Sequence, residues 1–205
     1  MCQNHQLSGQ VAAFAQLSLC FSPLDILNSL PKLTTLPWVP HVNTQHYQGQ
    51  WDVVPLRCQA HHKSAHEILQ SFSIDQGEHW TNLALLQNSH ALVEVLASLP
   101  CPVKAVRLMR LRAGAEIKPH QDPGLALEFG EARLHLPLRS DEHLIFNVAD
   151  HRVPMQCGEL WYLNANMTHS VHNRSTEDRI NVVIDCQSNT WLTHQVYNSA
   201  NCLWV

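Results

Sequence analysis

The spacing of hydrophobic positions changes once along this 205-residue chain, close to Pro100-Cys101-Pro102. Ahead of that point the apolar period is mainly helical. Ser22-Pro23 before Leu24, Ile26, Leu27 and Leu30 predicts an N-cap and a first-turn proline opening a short helix, which Pro31 stops. Between 88 and 99, Ala91, Leu92, Val95 and Leu96 recur on one helical face until Pro100. Between these helices, Trp51-Asp52-Val53-Val54-Pro55-Leu56 reads as a strand, with Pro55 favouring an edge position. Beyond the break the period becomes two, and residues 105–111, 132–138, 143–148, 159–163 and 180–184 read as strands. Ala113-Gly114, Asp122-Pro123-Gly124, Arg139-Ser140-Asp141-Glu142, Cys157-Gly158 and Asn173-Arg174-Ser175 supply the turns. Many short strands joined by turns predict an antiparallel sandwich or jelly roll, whose open end can house a metal. The organisation expected is an N-terminal helical region with an early strand (1–100) packed on a β core (101–186), then a C-terminal extension (187–205). The chain has no internal repeat and no low-complexity tract.

Composition narrows the function classes. A hydrophobic content of 45% suffices for a full core. A net charge of −4 argues against a general nucleic-acid binder. No apolar run is long enough to span a bilayer as a helix, and the N-terminus lacks the pattern of a secretory signal. The seven cysteines, an odd number with no Cys-x-x-Cys, support neither a zinc ribbon nor a thioredoxin motif, and the expected compartment is a reducing cytoplasm. The partner expected is a small molecule or peptide, with no nucleic acid and no membrane; the sequence leaves the oligomeric state open.

The chemistry concentrates in Pro119-His120-Gln121-Asp122, a later histidine and Arg179. Two histidines and one carboxylate occupy one face of a metal and leave three positions open, which suits non-haem Fe(II) and oxygen. His120 and Asp122 are two apart, so on one extended strand they share a face with Cα atoms roughly 6.6 Å apart. The third ligand comes from another strand, with His169 and His172 as candidates; three apart, they face opposite sides of a strand. Any one of fifteen histidines is individually a weak signal. Arg179 opens the apolar strand Ile180-Asn181-Val182-Val183-Ile184, and an arginine facing a barrel interior must be paired. Its partner is either a neighbouring acid, Asp178 or Asp185, or the carboxylate of a co-substrate.

These residues carry a wider resemblance. Arg107-Leu108-Met109-Arg110-Leu111, Gly114 to Asp122, Arg133-Leu134-His135-Leu136-Pro137-Leu138, Gly158 to Asn164 and His169 to Asp185 resemble the aspartyl/asparaginyl β-hydroxylase family of Fe(II)/2-oxoglutarate oxygenases. Gly49 to Arg57 resembles the family's first strand more loosely. The resemblance implies a double-stranded β-helix (jelly-roll or cupin-like), with Fe(II) on His120, Asp122 and His169 rather than His172. It implies that Arg179 receives the distal carboxylate of 2-oxoglutarate and that Arg133 and His135 help hold its other end. The pleat independently puts Arg133 and His135 on one face. The implied reaction couples oxidative decarboxylation of 2-oxoglutarate by O₂ to hydroxylation of a C–H bond in an amino acid, an Asp/Asn-containing peptide or protein, or a related metabolite. Met109 departs from the pattern, standing where some members have a small hydroxyl residue against the co-substrate. Asp122 completes the triad, which leaves no vacancy for a halide and favours hydroxylation over halogenation.

Other features take plainer readings. His61, His62 and His66 form a solvated cluster, Lys104, Arg107, Arg110 and Arg112 an ordinary sheet surface, and Trp51 and Trp161 core aromatics. Two rival functions stand beside the oxygenase. One is a cupin-type dioxygenase or isomerase that needs no 2-oxo acid, whose sites generally use His-x-His where this chain has His-x-Asp. The other is a non-catalytic metal- or ligand-binding module.

Overall fold

The computed structural model describes residues 10–72 and 79–205. Its strands are β1 (Ala12–Cys20), β2 (Val39–Pro40), β3 (Tyr47–Gln48), β4 (Trp51–Gln59), β5 (Trp80–Asn82), β6 (Val103–Leu111) and β7 (Glu116–His120). They continue with β8 (Glu131–Arg139), β9 (Leu144–Val148), β10 (His151–Arg152), β11 (Glu159–Leu163), β12 (His169–Asn173), β13 (Arg179–Gln187) and β14 (Cys202–Trp204). The helices are α1 (Pro23–Asn28), α2 (Glu67–Gln70), α3 (Ala84–Gln87), α4 (His90–Ala97) and α5 (Thr190–Tyr197). Among the described residues, no helix is long and apolar enough to cross a membrane.

Two antiparallel sheets face one another, one ordered β14-β1-β11-β8-β13-β6-β4-β2 with β5 also on β4, the other β10-β9-β12-β7-β3. From β6 to β13 the chain passes back and forth between the sheets, with the β9–β10 hairpin kept within the small one, and this is the double-stranded β-helix. The region before residue 100 supplies helices, as its spacing predicts. It also supplies two nine-residue strands, β1 and β4, that widen the large sheet on either side. β1 lies between β11 and the C-terminal β14, so the two ends of the chain join one sheet.

The local signals explain themselves. The Ser22 hydroxyl accepts from the Asp25 amide at 3.2 Å with Pro23 in the first turn, which opens α1. Ser89 caps α4 in the same way through the Leu92 amide at 3.3 Å. Pro55 pairs with β6 on one side, while on the other it falls between the residues of β4 that pair with β2 and those that pair with β5. Its missing N–H therefore breaks no ladder.

The large sheet is buried on both faces. Leu134, Leu136, Ile180, Val182 and Ile184 pack with Ile26, Leu92, Val95 and Leu192 of the helices. The alternate residues, among them Met109, Leu111, Trp161 and Val183, turn towards Ile117, Phe146 and Val171 of the small sheet. The polar members of that inner face, Arg107, Arg133, His135 and Arg179, line the space between the sheets. The period of two thus separates a hydrocarbon layer from a polar cavity, and not a core from solvent.

Candidate metal centre and cavity

His120 is the last residue of β7 and His169 the first of β12, and the two are direct antiparallel partners. Asp122 does not share their strand face as its spacing suggests. The strand ends at His120 because Pro123 has no amide to continue a ladder, and the Asp122 amide instead donates to Ala165 O at 2.8 Å. The turn still delivers the carboxylate. One ligand atom from each of His120, Asp122 and His169 lies within 4.8 Å of the others, a spread that small side-chain rotations close onto one ion with bonds of about 2 Å. His172 faces away, with Glu116 at 3.9 Å and Arg174 donating to it at 3.3 Å.

His120 and His169 are both oriented from behind. His120 Nδ1 lies 2.8 Å from Lys118 O and His169 Nδ1 lies 3.0 Å from Met167 O. A carbonyl only accepts, so Nδ1 carries the hydrogen in each ring and Nε2 keeps its lone pair for the metal. Burial, and then the neighbouring His120, push His169 down to about 4, which keeps its ring neutral. Burial alone would raise Asp122, but Arg133, His169 and His120 together hold it below the ordinary carboxyl range.

Arg133 is fully engaged. Its Nη1 donates to Asp122 Oδ2, while its Nε and Nη2 fork onto Asp185 at 2.7 and 3.1 Å. Asp185, 1% exposed, also accepts from Arg107 Nη2. Arg133 therefore positions the Asp122 carboxylate and is itself held by Asp185, which Arg107 shares. His135 is buried beside it, with Asn181 Nδ2 donating to its Nδ1 at 3.0 Å, so Nε2 carries the ring hydrogen. Burial, then Arg179 and Arg133, hold His135 well below 6.5 as a neutral donor.

Arg179 is different. It is 4% exposed, lines the same cavity, and its Nε and Nη2 have no hydrogen-bond partner among the described residues. Both acids that could have neutralised it are committed elsewhere: Asp178 to Arg112 and the Ala113 amide, Asp185 to Arg107 and Arg133. Its guanidinium lies over the Phe146 ring at 5.4 Å. Burial lowers it to about 10, so it stays cationic at neutral pH. An unpaired buried cation facing a cavity of about 540 Å³ calls for an anionic ligand.

Several residues of the cavity escaped the sequence reading. Arg107 is not sheet surface: it is 5% exposed and lines the cavity, with Asp185 and Ser71 O as its partners. Its odd position on β6 was the available signal, the same parity that places Met109 inside. Trp51 is buried and also lines the cavity, stacked on His41 at 3.6 Å. His41, in a loop remote from the motif, carried no sequence signal. Trp161 is core, as read, and His61 and His62 form a 3₁₀ turn, with His66 capping α2.

A family model described as aspartyl/asparaginyl β-hydroxylase matches residues 27–189. The chain belongs to the aspartyl/asparaginyl β-hydroxylase family. Two solved structures share the fold of this family member. One is the non-heme alpha ketoglutarate dependent epimerase SnoN from nogalamycin biosynthesis, with a TM-score of 0.52 and 14% identity over 87% of this chain and 79% of that one. The other is an oxidoreductase of the 2OG-Fe(II) oxygenase family from Burkholderia pseudomallei, with a TM-score of 0.50 and 14% identity over 82% and 77%. Family and fold together support an oxygenase-type hydroxylase.

Proposed function

We propose that this chain is an Fe(II)- and 2-oxoglutarate-dependent dioxygenase that hydroxylates an unactivated C–H bond of an amino acid, an Asp/Asn-containing peptide or protein, or a related metabolite. The observation that carries the reading is Arg179, which lines the cavity of the His120-Asp122-His169 cluster and has two buried donors without a partner among the described residues. The donor set fits Fe(II): two imidazoles and one carboxylate, a set that suits non-haem iron and oxygen chemistry. Bound iron would supply the oxygen activation, and the co-substrate its two electrons and a carboxylate handle.

The chain's own residues supply order. Arg179 would receive the distal carboxylate of 2-oxoglutarate as a fork, with Phe146 as the wall beneath. Neutral His135 offers a hydrogen to an oxygen near the metal, and Arg133 holds Asp122 in one orientation. Met109 lines the same cavity and contributes surface without a hydrogen bond. A cupin-type reaction without a 2-oxo acid would leave Arg179 buried and unpaired. The substrate is taken to be a small molecule or peptide, met in the cytoplasm, with no nucleic acid or membrane partner.

Anaerobic titration of the apo-protein with Fe(II) and then 2-oxoglutarate tests the reading. A visible metal-to-ligand charge-transfer band is expected, absent in Arg179→Met and in Asp122→Ala. A folded wild-type protein that gives no band overturns it.

A further inference from the structure

His135 takes its ring orientation from a residue outside the cavity wall. Asn181 is 0% exposed at an inward position of β13 and is not a lining residue of the cavity, whereas His135 is. Its Nδ2 lies 3.0 Å from His135 Nδ1. An amide nitrogen only donates, so Nδ1 is held bare and the ring hydrogen stays on Nε2, the nitrogen left to meet a ligand. His120 and His169 are set in the opposite sense. Their Nδ1 atoms face the carbonyls of Lys118 and Met167, which only accept and so leave Nε2 bare. A bare Nε2 suits a metal, and a hydrogen on Nε2 suits an anion.

Packing alone does not call for an amide at this position. Asn181 stands opposite Met109 on β6 and Pro137 on β8, and Leu111, Trp161 and Val183 belong to the same apolar inner core. There its Oδ1 is buried without a partner among the described residues. Such an orphan costs about 1–3 kcal/mol, which a leucine of similar shape would not incur. The reversed amide is no remedy. It would leave both amide hydrogens unpaired, and a buried N–H goes unpaired less readily than a carbonyl oxygen. What the amide does provide is one fixed tautomer of His135.

We infer that Asn181 is a positioning residue that keeps His135 a hydrogen donor to the co-substrate. This rests on the proposed function, since 2-oxoglutarate is the ligand that His135 meets on that reading. A bare Nε2 would set a lone pair against carboxylate oxygens, so the tautomer decides between attraction and repulsion. Asn181 touches neither metal nor ligand and acts through the ring alone.

Nuclear magnetic resonance of the metal-free full chain, labelled with ¹⁵N-histidine, reports which ring nitrogen carries the hydrogen; the His135 signals are those lost in His135→Gln. At neutral pH His135 should show a bare Nδ1, and a hydrogen on Nδ1 overturns the inference. Asn181→Leu should weaken 2-oxoglutarate by about 3- to 10-fold in an anaerobic charge-transfer titration with Fe(II), the worth of one hydrogen bond. It should leave Fe(II) affinity unchanged and Tm equal or higher. Unchanged 2-oxoglutarate affinity overturns the inference, and so does a joint loss of Tm and both affinities, which marks a structural role. Asn181→Asp, of the same shape but able only to accept, should put a hydrogen on His135 Nδ1, and it serves if the leucine variant does not fold. A ring unaltered by that change overturns the inference too. A wild type with a bare Nδ1 but no charge-transfer band fails the proposed function, and the role of Asn181 with it, while the Asn181–His135 pair stands.

Discussion

Replacing Arg179 with methionine separates what the residue does for the ligand from what it does for the fold. In the apo-protein its guanidinium is buried, has two donors without a partner among the described residues, and is lowered by burial from the ordinary arginine value to about 10. At about 1.4 kcal/mol per pKa unit, holding that charge costs the folded state on the order of 3 kcal/mol. The sign follows from proton counts. Below about 10 both folded and unfolded chains carry the proton, so the penalty is fully present at pH 7 and is relieved only as pH rises above about 10. Methionine fills similar volume without charge. It forfeits the Phe146 cation–π contact, worth about 1 kcal/mol. The net expectation is an apo-protein more stable by about 2 kcal/mol, which is roughly 4–8 °C in Tm for a domain of this size. With Fe(II) and 2-oxoglutarate present anaerobically the order should reverse, since ligand at 100 times its Kd adds about 2.7 kcal/mol to the wild type. Thermal melts of both proteins, with and without ligands, check this. An apo variant less stable than wild type would mean that Arg179 has a structural role. A variant still stabilised by 2-oxoglutarate as strongly as wild type would remove Arg179 from the co-substrate site.

Arg133→Met should keep all three metal ligands but release Asp122, weakening Fe(II) or Co(II) affinity by about 10- to 100-fold in a direct titration; unchanged affinity would mean that Asp122 needs no support. Apo-protein stability should fall by on the order of 1 kcal/mol for each of His41 and His135 between pH 7.5 and pH 5.5. Both are held below the ordinary histidine value, so the unfolded chain takes up their protons as pH drops through about 6.5 while the fold does not; His41→Gln should flatten that slope in urea melts, and an unaltered slope would refute the assignment. Ala149 has φ +48° in the two-residue β9–β10 turn, where a Cβ costs roughly 1–2 kcal/mol. Ala149→Gly should therefore raise the denaturation midpoint, by about 1 kcal/mol after the entropy cost of glycine, without changing metal affinity.

The strands most legible in the sequence were those with one hydrocarbon face. β6, β8 and β13 alternate cleanly because the helix layer demands apolar residues at every second position. β7 and β12 did not stand out: Glu-Ile-Lys-Pro-His and His-Ser-Val-His-Asn are five residues each, with one buried aliphatic side chain apiece, Ile117 and Val171, among polar neighbours. β1 was hidden because Ala12, Ala13, Phe14 and Ala15 are all buried, between two cores, and show no period. His120 and Asp122 were legible through spacing, which left His169 and His172 open; the resemblance favoured His169, the histidine that clusters with them. The commitment of Arg133 to Asp185 was not legible, because it depends on β8 and β13 setting Arg133 directly opposite Asp185. The inward turn of Arg107 follows from parity alone, but its run of basic neighbours resembled a solvated face.

The alternation on β13 reaches beyond catalysis. Arg179, Asn181 and Asp185 sit at odd positions of one central strand, clasped by β6 and β8, while Ile180, Val182 and Ile184 fill the helix side. A pairing slipped by one residue exchanges the two sets. It would push a guanidinium and a carboxylate into hydrocarbon, and strand three aliphatic side chains beside a polar cavity. Each misplaced charge costs several kcal/mol, enough to empty the slipped state. The groups that would greet the co-substrate also proofread the sheet that carries them.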